Sequence, residues 1–186
     1  LQRGVSAWAL WPRAVRWLAG WLLLVLAWLA LAQAHQRGVN FLLSVLVLVW
    51  AADVFAYFFG RGLGGRWFTV KLAPSISPGK TWEGALGGAL GVLLVAAIWV
   101  VFDRQQSPSS LSFFSLMWSQ GWFVAVPSAL FMTAMSVVGD LVESLVKRSA
   151  GMKDSSGLLP GHGGVLDRVD ALLPTLPLAM MLVAWI

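Results

Sequence analysis

Five carboxylates, four basic residues and a histidine crowd into the stretch GDLVESLVKRSAGMKDSSGLLPGHGGVLDRVD, which spans positions 139 to 170 and lies between two apolar runs. Asp140, Glu143, Ser144 and Lys147 follow one another at i, i+3, i+4 and i+7, so on a helix they share one face. Leu141, Val142, Leu145 and Val146 fall on the other faces. Asp167 and Asp170, again three apart, open the next apolar run. A hairpin through the glycine-rich turn between them is expected to bring the two acidic stripes together. Converging carboxylates without cysteine suit a hard cation such as Mg²⁺, which takes one or two carboxylates and leaves positions for substrate phosphates. Lys147, Arg148, Lys153 and Arg168 are then candidates for binding phosphate oxygens. Charges beside membrane-spanning helices are costly and tend to be functional. The chemistry that fits is phosphoryl or nucleotidyl transfer, in which positioning and charge neutralisation supply most of the catalysis. Lys153 and Asp154 are the members most readily explained as solvated charges. His162, within Pro160-Gly161-His162-Gly163-Gly164, reads equally as a turn residue, a phosphate contact or an acid-base group.

A second charged connection, GRGLGGRWFTVKLAPSISPGKTWEG, occupies positions 60 to 84. Ser77 is placed to cap a helix and Pro78 to begin it. Lys80, Thr81 and free backbone N–H groups would then gather at a helix N-terminus, a place that attracts phosphate. Gly60, Gly62, Gly64 and Gly65 form a turn rather than a phosphate loop, because no strand precedes them. Asp53 lies inside the preceding apolar run, four residues before Tyr57 and on the same face. A carboxylate at that depth needs a polar cavity or a cationic partner, which makes Asp53, like Glu143, a further candidate at a cation site.

Long apolar runs must position these groups. A transmembrane helix needs about 20 mainly apolar residues, and about five runs qualify: 17–34, 41–59, 84–102, 122–139 and a short, proline-bearing 171–186. The expected fold is all-α and polytopic, with residues 1–16 an interfacial segment or the end of a preceding helix and 17–186 the catalytic domain. The first residue is Leu1, which is read as a fragment lacking N-terminal helices. Eleven of the 13 Lys and Arg fall before the first run or in the two charged connections; Arg37 and Arg104 are the others. The positive-inside bias therefore places both connections in the cytoplasm. Gly84 with Gly88, and Gly87 with Gly91, form small-residue pairs that permit close helix packing. Packing within the chain is preferred to a homodimer contact.

Composition removes other readings. Apolar residues make up 59% of the chain and charged ones 11%, against about 25% charged in soluble domains, and the mean hydropathy is +0.78. The net charge of +5 is accounted for by the loop bias, so no nucleic-acid surface is expected. The absence of cysteine excludes disulfides, thiolate metal sites and thiol catalysis.

The 139–170 segment resembles the signature of bacterial phosphatidate cytidylyltransferases. Ser144, Lys147, Arg148, Lys153, Asp154, Pro160, His162, Gly163, Gly164, Asp167, Arg168 and Asp170 match it without departure. The Ser77-Pro78-Gly79-Lys80-Thr81-Trp82-Glu83-Gly84 element is similar to a second motif of the same family, and the resemblance extends over roughly residues 45–175. It implies a nucleotidyltransferase of phospholipid biosynthesis, with CTP and phosphatidate as substrates and CDP-diacylglycerol and pyrophosphate as products. It implies Mg²⁺, with a second cation left open, and the bacterial inner membrane. Asp140, Ser144, Lys147, Asp167 and Asp170 are then the catalytic candidates. Asp140, Asp167 and Asp170 are metal ligands, with Asp53 and Glu143 as further ones. Lys80, Thr81, Lys147, Arg148, Lys153, His162 and Arg168 bind substrate phosphate. Two other classes are weighed against this. A CDP-alcohol phosphotransferase needs an Asp-Gly-x-x-Ala-Arg motif that is not found, and a transporter calls for inverted repeats and broken midplane helices.

Overall fold

The computed structural model describes residues 8, 10–107, 109–157 and 164–186, and these are helices and loops with no strand. Among the described residues seven helices follow in order: α1 (Arg13–Arg37), α2 (Val39–Leu63), α3 (Trp82–Gln106), α4 (Phe113–Ser119), α5 (Trp122–Ser149), α6 (Leu166–Val169) and α7 (Leu172–Ala184). Helices α1, α2, α3 and α5 are long and apolar enough to cross a membrane. At 1.5 Å per residue, 25 residues reach about 37 Å, more than the ~30 Å hydrocarbon core. The fifth expected span forms a 13-residue helix, about 20 Å long by the same rise. The outer faces remain apolar: Trp17 is 70% exposed, Trp21 64%, Leu90 60% and Ile98 60%. Such a surface is stable against lipid and not against water.

The core lies where these helices meet. Phe41, Val45 and Leu48 of α2, Val92 of α3, Phe113 and Met117 of α4, Met132 of α5 and Ala179 of α7 are buried within one cluster. Helices α2 and α3 make the most intimate pair. Their glycines explain why. A Cβ on Gly84 would stand 2.9 Å from the Ala56 carbonyl oxygen, and one on Gly88 2.8 Å from that of Ala52. On Gly87 and Gly91 it would overlap the rings of Phe59 and Phe55. The small-residue pairs are therefore used within the chain. Gly38 alone separates α1 from α2; its φ of 128° and the proximity of Ser110 leave no room for a side chain.

The Ser-rich segment 103–119 contains helix α4 and a buried polar network. Asp103 is 4% exposed. It accepts hydrogen bonds from Asn40 Nδ2 (3.0 Å), Ser112 N (3.1 Å), Ser112 Oγ (2.5 Å) and Ser115 Oγ (2.6 Å). Ser112 also caps α4 through Ser115 N. This network closes the bundle at the end opposite the two charged connections.

One further expectation is corrected. Helix α3 begins at Trp82, not Pro78: Thr81 is the N-cap, with extended backbone and its hydroxyl accepting from Gly84 N at 3.0 Å. Ser77 instead closes a turn, donating its N–H to Ala73 O at 2.9 Å while its carbonyl accepts from Lys80 N at 3.2 Å. A threonine hydroxyl in extended backbone competes directly with serine as a cap, and the closed turn holds residues 77–80 out of the helix.

Gly88→Val is expected to destabilise the bundle by about 1–3 kcal/mol through overpacking against α2. Gly20→Ala, whose Cβ meets nothing within 4 Å, is expected to leave stability unchanged. Thermal unfolding in detergent reads the difference, and equal midpoints would remove the packing role assigned to Gly88.

Candidate active site

The two charged connections meet at one end of the bundle. The loop after α2 is anchored from inside by Glu83, which is 1% exposed. Its Oε1 accepts from the backbone N–H groups of Gly65, Trp67 and Phe68, each at 3.0 Å. Further along the loop, Ala73 and Ile76 are buried against Leu141 and Leu145, on α5 faces away from the polar stripe. This apolar contact sets the loop beside α5. Lys80 Nζ then reaches Asp140 Oδ2 at 2.5 Å, and Ser144 Oγ donates to Asp140 Oδ1 at 3.3 Å.

Helix α7 is brought in by a second close approach. A Cβ on Gly139 would lie 2.9 Å from the Asp170 carbonyl oxygen and 3.0 Å from Ala171 Cα. With only hydrogen at Gly139, the α6–α7 junction seats directly on α5. One carboxylate oxygen from each of Asp140, Glu143 and Asp170 then lies within 4.8 Å of those of the other two. The hairpin expected from sequence thus brings acidic residues of both stripes together.

Lys147 stands between two carboxylates, 2.6 Å from Glu143 Oε2 and 2.6 Å from Asp167 Oδ1. Asp167 also accepts from Ser155 N, from Ser155 Oγ at 2.9 Å and from Gly164 N at 2.7 Å. Burial alone would raise the Asp167 pKa, but Lys147 and these backbone donors outweigh it and hold the carboxyl well below the usual range. Asp170 goes the other way. Burial pushes it up to about 6; a hydrogen bond from Ala171 N opposes the shift, and the nearby charges of Asp140 and Asp53 add to it. The two aspartates three residues apart therefore differ in kind: Asp167 is saturated with donors, while Asp170 faces other carboxylates.

Asp53, Tyr57 and Arg61 line one wall of a cleft of about 580 Å³, with Lys80, Thr81, Gly84 and Asp140 across from them. A smaller cleft of about 260 Å³ adjoins it, sharing Gly60, Gly79 and Thr81. The remaining sequence candidates lie around this core. Arg148, Lys153, Asp154 and Arg168 are exposed, as expected for Lys153 and Asp154. Pro160, His162 and Gly163 fall outside the described residues.

Three contributors were not assigned from sequence. Glu83 was read only as a motif position, yet it organises the loop. Ser155 supplies both its N–H and its hydroxyl to Asp167. Gly139 looked like one more small residue in an apolar run. A carboxylate one position inside a helix N-terminus is a weak signal for loop anchoring, because the N–H groups it meets are 15 to 18 residues away.

Fold and site together define a polytopic membrane protein with a compact acidic and basic cleft at one end of its helices. The chain belongs to the cytidylyltransferase family, which matches residues 7–186. It is 45% identical to the phosphatidate cytidylyltransferase of Haemophilus influenzae over 141 residues, 76% of this chain and 44% of that protein. It is 42% identical to the one from Pseudomonas aeruginosa over 160 residues, covering 85% and 53% of the two chains. For the Bacillus subtilis protein of the same name the identity is 37% over 149 residues, covering 80% and 49%. The chain spans about half the length of the curated relatives it matches.

Glu83→Ala leaves the N–H groups of Gly65, Trp67 and Phe68 without their acceptor. The 64–71 segment is expected to become at least about tenfold more susceptible to limited proteolysis, in line with the loss of several charge-assisted bonds. Unchanged cleavage would show that the apolar contact through Ile76 alone holds the loop.

Proposed function

We propose that this chain carries the catalytic centre of a phosphatidate cytidylyltransferase, transferring CMP from CTP to phosphatidate. The observation that carries the reading is the convergence of Asp140, Glu143 and Asp170 within 4.8 Å, beside the Lys80–Asp140 pair and at the mouth of helix α3. The names of the relatives supply the substrates.

The donor set fits a hard divalent cation. Two ammonium groups, Lys80 and Lys147, stand among four carboxylates, so the cluster keeps an excess of negative charge. Oxygen is the sole ligand type, as Mg²⁺ prefers. Asp140, Glu143 and Asp170 would hold Mg²⁺, with Asp53 facing the same cleft as a further ligand or the start of a second cation site. Asp167 would join the ligands only by releasing Lys147 and the loop N–H groups; as it stands, it fixes Lys147. When bound, the metal supplies charge neutralisation on the reacting phosphates.

In the reaction, a phosphate oxygen of phosphatidate attacks the α-phosphorus of CTP. The new P–O bond replaces the bond between the α- and β-phosphates, and pyrophosphate leaves. Both substrates are polyanions, so their approach depends on cationic groups fixed in advance. Lys80, with Thr81 at the α3 N-terminus, faces the cleft and binds phosphate oxygens there. Lys147, held in place by Glu143 and Asp167, offers its remaining N–H donor to phosphate. Arg148 and Arg168 extend the phosphate-binding surface, Lys153 adds positive charge at its edge, and the family resemblance makes His162 a further phosphate-binding candidate. Ser144 orients Asp140. The acyl chains stay in lipid while the nucleotide enters from water, which an end-of-bundle cleft allows. The loop charge bias supports a cytoplasmic position for that end, and the bacterial relatives support an inner-membrane location.

Asp140→Asn and Asp170→Asn are each expected to lower Mg²⁺-dependent CDP-diacylglycerol formation by at least about a hundredfold, the scale for losing one charge-stabilising group. Asp167→Asn is expected to lower it as well by freeing Lys147. The assay follows pyrophosphate release from CTP with phosphatidate present. Full activity in Asp140→Asn would remove the metal assignment, and a wild-type protein that releases no pyrophosphate would remove the function.

A further inference from the structure

Arg61 sits in the last turn of α2, on the stripe that also carries Asp53 and Tyr57, and all three line the main cleft opposite Lys80 and Asp140. Its neighbours set it apart from the other cations of the site. Lys80 is engaged by Asp140 and Lys147 by both Glu143 and Asp167. Among the described residues the Arg61 guanidinium has no carboxylate partner, and its one hydrogen bond is to a neutral acceptor: Nη1 donates to Tyr57 Oη at 2.8 Å. An arginine is charged at any pH the protein meets and offers five donors in a rigid planar fork. The tyrosine uses one and holds the plane in place from the preceding turn. Arg61 shares the cleft lining with Asp53, Asp140 and Lys80, and since Lys80 is paired with Asp140, Arg61 is the cation of that lining without a carboxylate partner among the described residues.

We infer that Arg61 is a substrate-binding residue that grips phosphate oxygens in the cleft, with Tyr57 as the positioning residue that orients its guanidinium. This rests on the reading of the site as a phosphate-transfer centre, and it adds an anchor on α2 to the groups drawn from α3 and α5. The bound oxygens belong either to the triphosphate of the nucleotide or to the phosphomonoester of the lipid. A bidentate guanidinium–phosphate contact serves both.

The test uses the detergent-solubilised protein and four variants: Arg61→Gln, Arg61→Lys, Tyr57→Phe and Arg66→Gln. Arg66 is an exposed arginine on the same connection that lines neither cleft, so its variant reports loss of charge alone. Equilibrium binding of CTP, and of phosphatidate in mixed micelles, is measured beside the KM of each. For Arg61→Gln, one of the two affinities is expected to fall about tenfold or more, the size of a lost charge-assisted contact. Arg61→Lys restores part of it, Tyr57→Phe weakens the same ligand about threefold with kcat unchanged, and Arg66→Gln changes nothing. A fall confined to CTP assigns the contact to the nucleotide, and one confined to phosphatidate assigns it to the lipid. Unchanged affinity for both in Arg61→Gln, or an equal loss in Arg66→Gln, would overturn the inference. Because binding is read apart from turnover, a wild-type protein that binds CTP without releasing pyrophosphate sinks the proposed reaction while the Arg61 comparison still decides this one.

Discussion

Carboxylates at the end of an apolar helix bundle stay charged only where a cation or an N–H group meets them, and this constraint organises the protein. Glu83 and Glu143 are buried and Asp140 is partly so, and such acids need compensation from within the protein. Asp140 finds Lys80, Glu143 and Asp167 share Lys147, and Glu83 finds three backbone N–H groups. Every one of these pairs joins two different segments of the chain or fixes the rotamer of a residue that does. The polar contacts that make the charges tolerable are therefore the same contacts that hold the connections in place. Asp170 meets only the Ala171 N–H among the described residues and faces like charge instead, which is the arrangement that a cation would relieve.

Apolar packing supplies the precision. The α2–α3 pair is drawn together by four glycines whose hydrogens alone fit against Ala52, Ala56, Phe55 and Phe59. That approach places the end of α2 next to the start of α3, so Arg61 and Lys80 look into one cleft. Gly139 does the same for α5 and α7. Small residues matter more here than in a soluble core because lipid gives no hydrophobic drive for helices to associate, and close van der Waals contact must do it. Ile76 and Ala73 against Leu141 and Leu145 complete the set outside the spans.

The two ends of the bundle use polar groups differently. At one end Asp103 is fully satisfied by Asn40 and two serines, a closed network that ties α2, α3 and α4 together. At the other end Asp53 and Asp140 line an open cleft, and Asp170 has one N–H donor among the described residues and faces other carboxylates. A saturated carboxylate holds its neighbours in place; an unsaturated one can still take a ligand.

By itself the sequence determined that the chain is helical and membrane-spanning, since run length and apolar content leave few other solutions, and that the charged chemistry lies in two connections on one side. The i, i+3, i+4 spacing placed Asp140, Glu143 and Lys147 on one helical face, and the same local rule joined Asp53 to Tyr57. Only the tertiary structure decided which charges pair across segments. It set Lys80 on Asp140, gave Asp167 to Lys147 and left Asp170 with the acidic cluster. It moved the start of α3 to Trp82, shortened the last helix and built a buried network in segment 103–119. The reason is physical. Helical periodicity is a property of neighbours within a few residues, whereas pairing across 15 to 60 positions depends on how closely backbones approach. That approach is set by single glycines whose role becomes visible only when the partner helix is in place.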